Sequence, residues 1–501
     1  MSRPNVLLIT SDQQHWDTIG AFNSEIHTPN LDRLVREGTA FSRAYCPNPT
    51  CTPTRASLIT GKYPSEHGAW TLGTSLPESE PTLGAHLSEQ GYRTALVGKA
   101  HFQPLRSTEE YPSQEAYPLL QDLDYWRNFH GPYYGFDHIE LARNHTAEAH
   151  VGQHYGVWLT EKCGEDWKQY FRAPTGSMPH EVQHTWPIPE ELHYNTWIAE
   201  RTNALLQDYQ RAGEPFFLWS SFFDPHPPYL VPEPWDQMYD PEEITIPEGM
   251  EGEHERNAPH FGLVQTEEPD FSEWEETGHR IHGFESHLRD EGERRRLVAT
   301  YYGMVTMLDA YVGKILDELD RLGLAENTIV VFSTDHGHLF GQHGLQAKGP
   351  FHYEDLLRVP LLARGPGIAC GQQTSALQSL VDFAPTVLDM IGEDVPAEMT
   401  GVSQKAVWSG EVESAREHVL CEFHHEPTTV NLRTYIEDRY KITVYHGREY
   451  GELFDLEHDP GEFHNRWDDP DYAAIKSDLL LRFVWAEMGR EPMPMPRISV
   501  A

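Results

Sequence analysis

Three short apolar runs each close on a polar cluster that contains an aspartate. Val6–Ile9 leads into Thr10-Ser11-Asp12-Gln13, Pro215–Phe223 into Asp224, and Thr328–Ser333 into Asp335. None alternates apolar with polar residues, so each predicts a strand covered on both faces. Between them the spacing becomes helical. Thr28-Pro29 opens a helix that runs to Glu37 and is stopped by Gly38, and Pro53 starts one that runs Thr54–Thr60 into Gly61. Thr82–Gln90, Leu192–Arg211 and Phe383–Ile391 read as further helices. Leu297, Tyr301, Val305, Leu308, Val312, Ile315 and Leu319 keep helical spacing through one long amphipathic helix suited to core packing. Phe41–Tyr45, Tyr92–Val97 and Val359–Ala363 read as additional strands. Strands alternating with helices specify an α/β fold, a mainly parallel central sheet flanked by helices. Ligands of such sheets gather beyond the carboxyl ends of the strands, where Asp12, Asp224 and Asp335 fall.

Two segments resist this alternation. Gln103–Pro189 and Pro232–Glu285 are rich in Pro, His, Trp and Glu, and read as long loops of the kind that form lids or rims. After residue 395 the pattern changes again. His418–Phe423, Val430–Tyr435, Tyr440–Tyr445 and Glu452–Asp455 are short strands with close turns. The expected division is therefore an α/β domain over 1–395 and a small α+β domain with an antiparallel sheet over 396–501.

Charge narrows the function. The 501 residues carry 78 Asp plus Glu against 38 Lys plus Arg, a formal net charge of −40. A general nucleic-acid binder or an anionic-membrane binder needs a basic surface, so both classes are excluded. At 39% hydrophobic and 11% aromatic the chain is globular rather than disordered. Five scattered cysteines without a Cys-x-x-Cys pair point to a reducing compartment. The first apolar run is too short for a signal core, and no stretch reaches the ~20 apolar residues of a membrane span, so a soluble, cytoplasmic protein is expected. The same charge poses a question: an anionic substrate would have to bind against the field of the whole protein.

The most informative string is Cys51-Thr52-Pro53-Thr54-Arg55-Ala56-Ser57-Leu58-Ile59-Thr60-Gly61. It places a potential nucleophile at a helix N-terminus, whose free N–H groups favour an anion, with Arg55 one turn further on the same face. The string matches the signature of the formylglycine-dependent (type I) sulfatases, Cys-x-Pro-x-Arg followed by Leu and Thr-Gly. Further blocks resemble that family in order: the first strand with Asp12, the segment from Thr28, Gly98-Lys99-Ala100-His101, Asp224-Pro225-His226, Asp335-His336-Gly337, and Gly451 to Gly461. The resemblance covers most of the chain and implies an alkaline-phosphatase-like α/β fold with a small C-terminal sheet domain.

It also implies chemistry. In the family the cysteine is oxidised to formylglycine, so Cys51 would be a precursor processed by a maturation enzyme. Asp12, Gln13, Asp335 and His336 would hold one divalent cation, with residue 51 completing the shell. Gln13 and His336 depart from the commoner Asp and Asn or Gln. Oxygen ligands favour Ca²⁺, and the nitrogen ligand makes Mn²⁺ the alternative. One hydroxyl of the hydrated aldehyde attacks sulfur, and the other lets sulfate leave by C–O cleavage. Arg55 would hold the diol, Lys99 and Lys348 the sulfate, His101 would be the base for elimination, and His226 with Lys348 would assist the departing alcohol. The expected substrate is a small-molecule or carbohydrate sulfate ester. A phosphonate monoester or phosphodiester hydrolase using the same formylglycine is the alternative. Lys99 and His101 speak against it, because that branch usually carries Tyr and Thr there. An inactive binding protein on this scaffold would lack one of these groups, and none is missing.

Other residues are read without a role. His15, His67, His338, His343 and His352, Trp70 and Leu72, and Cys421 with His424 and His425 suit packing or the walls of a site. The Glu267–Glu276 run suits a solvated loop, and His145, His150 and His154 match no firm metal spacing. Met493–Val500 is long enough to reach a partner, and a homo-oligomer is left open.

Overall fold

All seven residues of Asn5–Ser11 form strand β1, and every one is buried. The computed structural model describes residues 3–143, 150–171, 183–247, 249–274, 281–425, 429–491 and 498. Around β1 stand β2 (Thr39–Phe41), β3 (Arg93–Gly98), β4 (His138–Leu141), β5 (Phe216–Ser221), β6 (Thr328–Thr334), β7 (Leu361–Arg364) and β8 (Gln372–Thr374). They form one eight-stranded sheet in the order β8-β2-β7-β6-β1-β5-β3-β4. All neighbours run parallel except β7, which is antiparallel to both β2 and β6. The register places Leu8 between Trp219 and Val331.

The period of two along β1 divides the core. Leu7 and Ile9 pack with α1 (Pro29–Glu37), α5 (Tyr194–Ala212) and the long α6 (Glu291–Arg321). Val6 and Leu8 pack on the other side with α2 (Cys51–Thr60), α3 (Leu83–Glu89) and α7 (Phe383–Ile391). Gly98 closes β3 at φ +106°, and a Cβ there would stand 1.9 Å from the Ser221 carbonyl oxygen. Glycine is required there so that the chain can cross β5 and deliver Lys99.

Three local expectations are corrected. Phe41–Tyr45 is not one strand: the chain turns at Ser42–Arg43, and Ala44–Tyr45 joins a separate small sheet with Arg358–Val359 and Gln378–Ser379. Val359–Ala363 is interrupted by Pro360, which has no N–H for a ladder. Gln103–Pro189 is not a plain loop. It contains the sheet-edge strand β4, a short helix Leu123–Asn128, and α4 (Gln153–Cys163). The edge strand His138-Ile-Glu-Leu is too short and polar to read as buried. The other segment, Pro232–Glu285, has short turns and the one-turn helix Pro259–Leu263 among its described residues. It buries Phe261, Phe271, Ile281 and Phe284 against Phe351, Tyr353 and Phe423.

The last part of the chain is a four-stranded antiparallel meander, β9 (Val419–His424), β10 (Asn431–Ile436), β11 (Tyr440–Tyr445) and β12 (Gly451–Asp455). α8 (Ala473–Gly489) covers it through Leu479, Phe483 and Ala486, which meet Leu420, Tyr435, Ile442 and Leu453. Val419, Cys421 and Ile436 belong instead to the core beneath the main sheet. Among the described residues no helix is long and apolar enough to cross a membrane.

Glu452 on β12 is buried and accepts the Tyr445 hydroxyl at 3.0 Å. Burial pushes its carboxyl up to about 8 despite that bond. The folded chain therefore keeps a proton that the unfolded chain releases near pH 4.5, and Glu452 becomes a growing penalty as pH rises through that window. In urea unfolding, the stability of wild type minus that of Glu452→Gln is expected to fall by about 2–4 kcal/mol between pH 5 and 8.5. A difference independent of pH would contradict the buried, protonated carboxyl.

Candidate active site

The signature helix α2 begins on Cys51, after an extended Thr50 at φ −138°, ψ 154°. Its unpaired first-turn N–H groups thus lie at residue 51, and Pro53 costs no helical bond in that first turn. The helix ends at Gly61 in the left-handed region, φ +66°, whose N–H donates to the Ser57 carbonyl. That geometry accounts for the glycine of the signature. All ten helical residues are buried, so the helix is locked in position.

Strand ends deliver the rest. The Cys51 sulfur lies 3.8 Å from Asp12 Oδ1, 3.3 Å from His336 Nε2 and 3.3 Å from Lys348 Nζ. Arg55 Nε donates to Asp335 Oδ2 at 2.8 Å, and Nη1 donates to the Ser221 hydroxyl at 2.8 Å and the Lys99 carbonyl at 3.0 Å. Its Nη2 makes no hydrogen bond and stands 3.8 Å from Asp12 Oδ2. Lys99 Nζ donates to the same Asp12 oxygen. Lys348 Nζ also reaches His336 Nε2 at 3.2 Å and His226 Nε2 at 3.4 Å. Asp12, Cys51, Arg55, Lys99, His226, Asp335, His336 and Lys348 are thus one contact cluster. Ala347, before Lys348, holds a positive φ of 55°.

The donor set suits a divalent cation. One ligand atom each from Asp12, Cys51, Asp335 and His336 lies within 4.8 Å of the others, and all four residues are buried. His336 Nδ1 is engaged by the Gly337 carbonyl at 3.0 Å, leaving Nε2 to face Cys51. Burial and then Lys348 push the His336 ring down to about 3, which keeps it neutral and able to ligate. Gln13 Nε2 donates to His338 Nδ1 at 2.8 Å, while its buried Oε1 has no hydrogen-bond partner. A buried carbonyl oxygen left open is costly unless a cation takes it. Burial and the nearby Asp335 raise the Asp12 carboxyl, against Lys99, Arg55 and Lys348. For Asp335 burial acts upward too, but Arg55, with Lys99 and the Gln13 N–H, outweighs it and holds the carboxylate ionised.

The protein matches the sulfatase family over residues 4–393 and the N-sulphoglucosamine sulphohydrolase C-terminal family over residues 341–487. The chain belongs to the sulfatase family. It is 30% identical to the multifunctional alkaline phosphatase superfamily protein PehA of Trinickia caryophylli, across 95% of this chain and 94% of that one. It is 28% identical to the arylsulfatase of Clostridium perfringens, across 98% and 95%. Its fold is similar to that of the phosphonate monoester hydrolase of Agrobacterium radiobacter, with a TM-score of 0.79, 24% identity, and 99% and 98% of the two chains covered. This sulfatase therefore has the alkaline-phosphatase-like architecture and is a hydrolase of the sulfuric ester class.

Several residues that support the sulfatase site carry no motif. Glu115, inside the segment read as a loop, is a buried carboxylate that accepts five donors. They are the N–H groups of His101 (3.0 Å), Phe102 (2.8 Å) and Gln103 (3.1 Å), the Tyr133 hydroxyl (2.8 Å) and Arg143 (2.6 Å). It clamps the Lys99–Gln103 turn, in which His101 holds a positive φ of 58°. His338, unassigned from the sequence, orients the Gln13 amide and is itself held by the Tyr229 hydroxyl at 3.0 Å. Asp224 accepts Tyr194 and Asn195, and its carbonyl receives the Asp12 N–H at 3.1 Å. Burial pushes the Asp224 carboxyl up to about 7.

The remaining histidines sort by contact. His15 meets Asp355 at 3.2 Å, His67 the Ser57 hydroxyl at 2.9 Å, and His352 the Thr434 hydroxyl at 2.6 Å. His343 stacks on Tyr353, with centroids 3.7 Å apart. His154 spends both ring nitrogens on backbone, at Leu141 N and Phe129 O, which removes it as a ligand. His145 lies outside the described residues, as do Glu275 and Glu276 and all of Met493–Val500 except Ile498. Trp70 packs on His424, with centroids 4.7 Å apart.

Glu115→Gln leaves the buried Arg143 charge without its partner and loosens the Lys99–Gln103 turn. Stability in urea is expected to fall by about 3 kcal/mol, and kcat/KM on an aryl sulfate by about 10–100-fold. Unchanged stability and turnover would show that the turn is held by other contacts.

Proposed function

We propose that this sulfatase hydrolyses sulfate monoesters to an alcohol and inorganic sulfate, with formylglycine at position 51 and one divalent cation. The observation that carries the reading is the convergence of three buried cations, Arg55, Lys99 and Lys348, around residue 51 against two carboxylates, Asp12 and Asp335. Their formal sum is +3 − 2 = +1 before any metal is added, inside a protein whose net charge is −40. The pocket is buried, so these near charges act at low dielectric, whereas surface carboxylates are screened beyond ~10 Å.

Cys51 as a thiol is a poor nucleophile here. Burial pushes its pKa up, against the pull of Lys348 and Lys99. Converted to formylglycine, residue 51 supplies as its hydrate one oxygen for attack on sulfur and a second hydroxyl that allows sulfate to be released. A divalent cation held by Asp12, Gln13, Asp335 and His336, Ca²⁺ by its mainly oxygen donors, would add Lewis-acid charge there. Arg55, fixed by Asp335 and Ser221, orients residue 51 with its open Nη2. Lys99 and Lys348 take sulfate oxygens. His101 accepts the proton lost in sulfate release. His226 Nδ1 is turned to the Pro227 carbonyl at 2.6 Å, so Nε2, beside Lys348, faces the site and delivers the proton to the departing alcohol.

The substrate is a small-molecule or carbohydrate sulfate ester. A second reading, phosphonate monoester or phosphodiester hydrolysis on the same machinery, is supported by the likeness of the fold to two phosphonate monoester hydrolases. Lys99 and His101 favour sulfate.

Protein co-expressed with a formylglycine-generating enzyme is expected to be active and about 18 Da lighter than its sequence, the change from thiol to aldehyde. Active protein that retains the thiol would refute the nucleophile. On matched aryl esters, kcat/KM is expected to favour sulfate over phosphonate, and a large opposite preference would select the second reading. Lys99→Ala is expected to lower sulfate turnover by about 10²-fold or more, as for loss of a preorganised charge at the transition state. A mild effect would remove Lys99 from the sulfate-binding role.

A further inference from the structure

Three buried cations meet at residue 51, and two of them are tied by carboxylates: Arg55 by Asp335 and Lys99 by Asp12. Lys348 makes no ion pair among the described residues. Its Nζ meets the Cys51 sulfur at 3.3 Å and two imidazole nitrogens, of His336 at 3.2 Å and His226 at 3.4 Å. A lysine has a long flexible stem, so without a carboxylate partner its ammonium goes where its backbone puts it. That backbone is irregular. Gln346–Ala347 pairs with Leu339–Phe340 over two residues, Ala347 holds a φ of 55°, and all of 345–353 is buried. Gly283, at φ +85°, closes on it, and a Cβ there would stand 2.5 Å from the Lys348 carbonyl oxygen.

Buried main-chain groups outside helices and ladders need side-chain partners. Residues 254–287 grip this stretch with five side chains. His254 Nε2 donates to the His343 carbonyl at 2.8 Å, Gln265 Nε2 to the Gly344 carbonyl at 3.0 Å, and His260 Nε2 to the Pro350 carbonyl at 3.0 Å. His287 Nδ1 accepts the Gln346 N–H at 3.1 Å, and Asn257 donates to the Tyr353 hydroxyl at 2.9 Å. His287 and His260 thus bracket Lys348, two residues before it and two after, and each is 2% exposed. The sequence reads most of this segment as a lid or rim. Its contacts give it a different task.

We propose, on the reading that Lys348 with His226 assists the departing alcohol, that residues 254–287 are the cradle that positions Lys348, with His260 as its central positioning residue. Arg55 and Lys99 are aimed by their own carboxylates, whereas Lys348 is aimed through the loop that carries it. Burial pushes the His260 ring down to about 4, so it is neutral, and with Nε2 as donor its Nδ1 carries no proton. The ring lies among Phe261, Phe284, Phe351 and Tyr445, with centroids 4.6, 5.6, 5.5 and 5.9 Å away. A phenylalanine therefore suits the nest and removes only the hydrogen bond. The loop then shifts, and Lys348 Nζ shifts with it. A misplacement of ~1 Å can cost about 10²-fold in the step that the group serves.

The test compares kcat/KM on 4-nitrophenyl sulfate and on phenyl sulfate, using full-length protein co-expressed with a formylglycine-generating enzyme. The ratio of the two reads assistance to the departing alcohol, because nitrophenolate leaves with little help and phenolate needs a proton. The fraction of folded enzyme cancels in that ratio, so a purely structural role leaves it unmoved. Lys348→Ala is expected to raise it by about 10-fold or more, and His260→Phe by about 3–10-fold. His260→Gln keeps a donor and should hold the ratio within about two-fold of wild type. A ratio that moves in Lys348→Ala but not in His260→Phe would overturn the cradle and leave the role of Lys348 standing. A ratio unmoved by Lys348→Ala would overturn that role and the cradle with it. An increase that persists in His260→Gln would assign the effect to ring packing and overturn the hydrogen bond. If His260→Phe yields no folded protein, Asn257→Ala, at the half-buried end of the same grip, is measured instead, and an unmoved ratio there overturns the cradle.

Discussion

The contact on which the site depends is the buried ion pair between Arg55 and Asp335. It joins the second turn of α2 to the end of β6, across 280 residues of sequence. Neither partner is exposed to water, so each charge is sustained only by the other and by its neighbours. Arg55 holds Asp335 ionised, and Asp335 Oδ1 accepts the N–H groups of Gln13 and His336 at 3.0 Å each. One carboxylate therefore fixes the cation beside residue 51 and also the two backbone turns that carry proposed metal ligands.

The parallel sheet makes this arrangement possible. β1, β5 and β6 are adjacent, so Asp12, Asp224 and Asp335 emerge side by side at one edge. Like charges gathered in this way repel and are costly to bury. The structure answers the cost with Lys99, Arg55 and Lys348, and with neutral donors at Asp224. The acidic surface bears on solubility and association, while the basic pocket bears on catalysis. These are separate electrostatic problems because water and salt lie between them.

Much of the fold was legible in the sequence. β1, β5 and β6 are buried on both faces and so appear as unbroken apolar runs, and α1 and α2 carry Pro29 and Pro53 near their starts and stop at Gly38 and Gly61. The elements that were misread were those for which periodicity carries little information. β4 is a four-residue edge strand, and Pro360 divides what looked like one strand into two that serve different sheets.

The sequence by itself singled out Cys51 at a helix start as the proposed nucleophile position, Arg55 one turn away, and the strand-end residues that meet them, because each belongs to a local motif with its own chemistry. Only the tertiary structure decided what holds them. Glu115 looks like any other acidic residue of a Pro-rich segment until three backbone N–H groups, a tyrosine and Arg143 converge on it. His338 was one histidine among 29 until it was seen to aim the Gln13 amide. The two faces of α8 likewise look alike as apolar positions. Folding buries one and leaves the other open, because a single sheet can cover only one side of a helix.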